Sequence, residues 1–172
     1  MKKLLVLFFT VITFSGCSSS INDKEYYFNF MDLERLWEYS EGESQIIAFI
    51  DTGISEQAKA LYSDRIIDTY NSIEDSKNVV DNHGHGTQII SISSGNGEKG
   101  IWGIAPKAKV IVIKALGDEG EVEDPTSIVK AIDYAISKEV DIINMSFGSF
   151  VSNSDIENQI QLAIKNNSFF AD

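Results

Sequence analysis

Two kinds of apolar pattern alternate along the chain. Gln45–Ile50 (QIIAFI), Lys109–Ala115 (KVIVIKA) and Val140–Met145 (VDIINM) are short, nearly continuous apolar runs rich in branched residues. Their length and composition predict strands buried on both faces. Ile66–Tyr70 predicts a weaker strand, and Ser168–Ala171 begins another just before Asp172. Between these runs apolar residues recur every three or four positions. Asp32–Tyr39 predicts a short helix with Leu33, Leu36 and Trp37 on one face, ended by Glu41-Gly42-Glu43. Thr87–Ser94 predicts a second helix through Ile89, Ile90 and Ile92, followed by a loop, Gly95–Gly103, holding four glycines. A third helix starts at Asp124-Pro125, where Asp caps and Pro suits the first helical position. There Ile128, Ile132, Ala135 and Ile136 share a face, while Lys130, Asp133 and Lys138 point outward. Ser154 and Glu157 have the spacing of a capping box. Ile156, Ile160, Ala163 and Ile164 carry that last helix to a C-cap at Asn166-Asn167.

Strands alternating with helices predict an α/β fold on a central parallel sheet with right-handed crossovers. In such sheets ligands gather at the C-terminal ends of the strands. Asp51 and the Ser146 segment lie at such ends, and His85 starts a helix.

The first residues follow a different logic. Lys2 and Lys3 precede an eleven-residue apolar run, Leu4–Phe14, and then Ser15-Gly16-Cys17. The run is short for a bilayer span and has the layout of a secretory signal. Small residues before a lone Cys resemble a bacterial lipobox, although Phe14 stands where Leu or Val is usual; plain secretion with an incidental Cys is the alternative. The expected organisation is a signal over 1–16, a lipidated Cys17 and tether over 17–30, and a domain over 31–172. The expected location is the extracytoplasmic face of the cell membrane, or otherwise secreted. Cys17 is the single cysteine, so no intrachain disulfide forms. The formal net charge is −12, which argues against nucleic-acid binding, since that needs Lys and Arg to displace counterions. Cleavage before Cys17 removes two lysines and no acid, so the lipid rather than surface charge would hold the chain to a membrane.

Two motifs carry chemistry. Asp51-Thr52-Gly53 follows a buried strand, where a carboxylate can orient an imidazole and stabilise its cation; the same tripeptide also serves as a plain turn. His83-Gly84-His85-Gly86-Thr87 holds both histidines of the chain. Two histidines two apart can also suggest a metal, but no third or fourth ligand stands at zinc spacing.

Together, Asp-Thr-Gly and His-Gly-Thr thirty-four residues later resemble the subtilisin-like serine peptidases. The likeness continues through Gly103-Ile104-Ala105-Pro106, Val112–Gly117 and Asp141–Gly148, and covers about residues 37 to 171. It implies a three-layer fold, incomplete on its C-terminal side, and a serine endopeptidase working by acyl transfer on peptide or protein substrates, monomeric when completed. By the resemblance Asp51 orients the histidine and His85 is the general base; His83 is the weaker candidate, because the motif reads His-Gly-Thr. Ser146, Phe147 and Gly148 match the segment that pairs with the substrate backbone and lines its pocket. Gly117–Val122, with Gly120, matches the opposing edge.

The chain also departs from the family. Ser91 stands where Gly is frequent after the His motif, which would tighten the contact of helix and sheet. No cofactor is implied as required. A structural calcium occurs in the family near the loop matching Gly95–Gly100, but Gly97 stands where a side-chain ligand is frequent, leaving Asp64 or Asp68 as candidate ligands and no metal site assigned. The Gly-Asn segment bearing the oxyanion donor after the last strand is missing, as is the later Gly-Thr-Ser-Met-Ala segment bearing the nucleophile. The 172-residue chain is therefore expected to carry Asp and His without the Ser, and to be inactive and marginally folded alone. The alternative is an inactive lipoprotein remnant or a peptide-binding pseudoprotease. Asp-Thr-Gly is also the hallmark of aspartic peptidases, but those are β-rich and need two such carboxylates; the α/β alternation argues against them.

Overall fold

The computed structural model describes residues 30–148, 152–166 and 168–171. The signal, the tether to Asn29 and the proposed lipidation at Cys17 lie outside the described residues. The elements, in chain order, are α1 (Leu33–Trp37), β1 (Ile46–Asp51), α2 (Glu56–Leu61), β2 (Ile66–Asn71), α3 (His85–Ser94), a 3₁₀ turn (Glu98–Gly100), β3 (Lys109–Lys114), α4 (Pro125–Ser137), β4 (Ile142–Asn144), α5 (Ser154–Lys165) and β5 (Phe169–Ala171).

The strands form one sheet in the order β2-β3-β1-β4-β5, with every pairing parallel. β1 is central, and its register sets Asp51 opposite Lys114. Alternate residues of the apolar runs face opposite sides. Ala48, Ile50, Ile111, Ile113 and Ile143 pack with Ile128, Ala131 and Ile132 of α4 and Ala163 of α5. Ile47, Phe49, Val110 and Val112 pack on the other side with Ala58 of α2, Tyr62 and Ile90 of α3. A run buried on both faces needs apolar residues at every position, and that is why these strands read as continuous rather than alternating.

Several local expectations are corrected. α2 carries no strong apolar period; Ser55 caps it, its side chain accepting from the Ala58 N–H at 3.3 Å. α3 begins at His85, two residues before the start predicted from its isoleucines. The N-cap of α5 is Asn153 rather than Ser154: its side chain accepts from the Asp155 and Ile156 N–H groups. Glu157 instead accepts from the Ser152 hydroxyl. Asn166 is the C-cap of α5, as expected; Asn167 lies outside the described residues. Leu33 is buried but Leu36 is exposed, because α1 is only five residues long and touches the body through one edge. Ser91 donates to the Thr87 carbonyl and accepts from the Tyr62 hydroxyl.

Candidate active site

β1 delivers Asp51 to the C-terminal edge of the sheet, buried to 1 % exposure. Its Oδ1 accepts from the Thr52 N–H at 2.7 Å and lies 2.8 Å from Nδ1 of His85. Its Oδ2 has no partner among the described residues. His85 is the first residue of α3, and its side chain is 36 % exposed, so one ring edge faces the buried carboxylate and the other is open. An imidazole held through Nδ1 presents Nε2 as a base toward the open side.

Two glycines make this approach feasible. A Cβ on Gly86 would collide with the Gly53 carbonyl oxygen, and one on Gly53 would collide with the Val79 carbonyl oxygen. Gly53 also has φ +113°, in the region that disfavours side chains. The helix start therefore sits directly on the turn that follows β1.

A small cavity of about 160 Å³ opens beside His85. Leu116, Gly120, Ser146, Phe147 and His83 line it with His85. His83 is outside hydrogen-bonding range of Asp51 in this arrangement and packs against Gly120, where a Cβ would stand 2.9 Å from its Nε2. Gly117–Gly120 closes as a tight turn through the Gly120 N–H and the Gly117 carbonyl. Phe147 and Gly148 continue into a larger cleft of about 360 Å³, whose apolar lining includes Val122, Ile128, Met145 and Ile156. Ser146 donates to Oδ1 of Asn144 at 3.2 Å. Gly120, Ser146 and Phe147 thus line the cavity beside His85, and Phe147 and Gly148 line the larger cleft.

Sequence reasoning missed three polar residues around the site. Lys114 is buried and donates to the Thr52 carbonyl and to Asp118, each at 2.9 Å. Asp118 also accepts from Asn82, linking the glycine-rich edge to the histidine loop. Asp81 accepts hydrogen bonds from Thr52, His83, Gly84 and Thr87. Burial pushes its carboxyl up, but these donors outweigh burial and leave it below the ordinary aspartate range. Its one sequence signal was its position four residues before His85.

The residues suggested for calcium do not fit that ion. Gly97 offers no side chain, has φ +84°, and a Cβ there would enter the Trp102 ring. Asp68 is engaged by Lys77 at 2.6 Å, Lys138 at 2.8 Å and the Tyr134 hydroxyl at 2.7 Å, so it is not a free ligand. Asp64 is an exposed group 3.9 Å from Arg65. The Arg65 guanidinium already donates to the Ser94 carbonyl at the end of α3, a favourable place for a cation. Among the described residues no group of three or more His, Cys, Asp or Glu could hold a metal.

A buried aspartate and a helix-start histidine thus meet at the C-terminal edge of a parallel α/β sheet. The subtilase family model matches residues 42–171, and the chain belongs to that family. It is 27 % identical to thermitase of Thermoactinomyces vulgaris over 129 residues, covering 74 % of this chain and 46 % of that protein. It is 30 % identical to the major intracellular serine protease of Bacillus subtilis (strain 168) over 131 residues, covering 73 % of this chain and 41 % of that one. A solved cold-adapted subtilisin-like serine proteinase matches in fold with a TM-score of 0.66 at 19 % identity, covering 76 % of this chain and 46 % of its own. The chain spans less than half the length of these relatives.

Proposed function

We propose that this protein works as a serine endopeptidase, with Asp51 and His85 as two members of its catalytic triad. The observation that carries the reading is the 2.8 Å contact of the buried Asp51 carboxylate with His85 Nδ1, at the mouth of a groove. In this reading the carboxylate holds the imidazole in the tautomer with Nε2 free. Nε2 then takes the proton of a nucleophilic serine and returns it to the leaving amine. Substrates are peptides or proteins lying extended between Gly120 and Ser146–Gly148. The apolar cleft of Val122, Ile128, Phe147 and Ile156 favours an apolar side chain.

Hydrolysis of a peptide amide by the native protein, compared with its H85A variant, tests the reading. Cleavage lost in H85A supports it; equal cleavage by both overturns it. We further propose lipid anchoring at Cys17 on the extracytoplasmic side, supported by the pattern of Lys2–Cys17. Incorporation of a labelled fatty acid that persists in C17S would remove that proposal.

A further inference from the structure

We infer that Asp81 is the positioning residue that sets the spacing of Asp51 and His85, acting through two hydroxyl relays at Thr52 and Thr87. The inference rests on the catalytic reading of that pair.

Asp81 touches neither residue. It is 9 % exposed and lies between the end of β1 and the start of α3. Thr52 Oγ1 accepts from the Gly86 N–H at 2.9 Å and donates to Asp81 Oδ1 at 2.9 Å. Thr87 Oγ1 accepts from the Ser55 N–H at 2.9 Å and donates to Asp81 Oδ2 at 2.6 Å. Each relay crosses from the β1 side to the α3 side, in opposite directions. A hydroxyl has one proton, so a carboxylate that can only accept fixes both relays in one polarity. The N–H groups of His83, Gly84 and Thr87 complete the shell at 3.1, 2.7 and 2.9 Å. They include donors before and within the first turn of α3, where a negative charge is favoured.

Thr52 adjoins Asp51, and Gly86 adjoins His85. The Thr52 relay is thus a second tie running beside the Asp51–His85 contact. Small displacements between reacting groups cost large factors in rate, so a tie of this kind acts on geometry rather than chemistry.

The test reads the proton on Nδ1 of His85. The native protein is labelled with ¹⁵N-histidine, and H85A assigns the signals. The unaltered protein should show a low-field, slowly exchanging Nδ1 proton, held by the Asp51 carboxylate. Its absence there would sink the catalytic reading itself. In T52V, which keeps the shape of the side chain but removes its hydrogen bonds to Gly86 and Asp81, the low-field signal should weaken at least roughly tenfold, as expected when buried hydrogen bonds are lost. D81N should do the same, and T52S should restore the signal. If T52V and D81N remain folded with the signal unchanged, or merely melt earlier with the signal unchanged, the positioning role is wrong. Should T52V fail to fold, T87V, which breaks only the other relay, replaces it. An unchanged signal there counts against the inference in the same way.

Discussion

Gly86 rests on Gly53 so closely that any side chain on Gly86 would overlap the Gly53 carbonyl oxygen. The contact joins the two motifs, Asp-Thr-Gly and His-Gly-Thr, into one site. G86A must therefore lift α3 from the end of β1. We expect a loss of stability of about 1–3 kcal/mol or more, typical of overpacking against an unyielding wall. Urea midpoints at constant m-value measure the loss. An unchanged midpoint would mean that the helix start is not pressed onto the turn.

Asp51 makes its hydrogen bond to the imidazole from a site of 1 % exposure. D51N keeps the shape but favours the wrong imidazole tautomer. In a preparation of the native protein that shows peptidase activity, kcat should fall about 10⁴-fold with KM little changed. A fall of less than about tenfold would remove Asp51 from the mechanism.

The cleft holding Phe147 is apolar on the faces of Val122, Ile128 and Ile156. Phe147→Ala should lower kcat/KM for a peptide with a large apolar side chain there by about 10–200-fold, while a peptide with Gly at that position changes little. Equal losses for both peptides would place Phe147 in folding rather than recognition.

Asp68 and Asp81 bear on acid stability. Burial pushes both carboxyls up, but their hydrogen bonds prevail and both end below the ordinary aspartate value, Asp68 through Lys138, Lys77 and Tyr134 and Asp81 chiefly through Thr87. A depressed carboxyl contributes stability above its unfolded pKa, and the contribution is lost as pH falls through the folded value. The urea midpoint should therefore drop as pH falls below about 4, the range where an unfolded aspartate takes up its proton. D68N should flatten that drop. An equally steep drop in D68N would exclude Asp68 as a source.

Much of the framework was legible because buried parallel strands and capped helices leave strong local signals. The runs QIIAFI, KVIVIKA and VDIINM all contain strands, and Asp124 caps α4 as its Asp-Pro pair indicated. Asp51 and His85 were legible as motif residues because glycines flank them for steric reasons. What escaped was tertiary in origin. α2 has six residues and one buried side chain, too little for a period. Asn153 displaced Ser154 as cap because the chain enters the helix one residue earlier than the Ser–Glu spacing suggested. Asp81, Lys114 and Asp118 were not singled out because some of their partners, Thr52 and Asn82, lie far away in the chain. Asp68 was misjudged because Lys77, Lys138 and Tyr134 come from separate segments to surround it.

The most direct test of the central claim is the reaction of the native protein with a fluorophosphonate, read by intact mass and by the mass of the labelled peptide. The account predicts one covalent label on a serine, abolished by H85A. A native protein that takes no label, or a label that survives H85A unchanged, would contradict it.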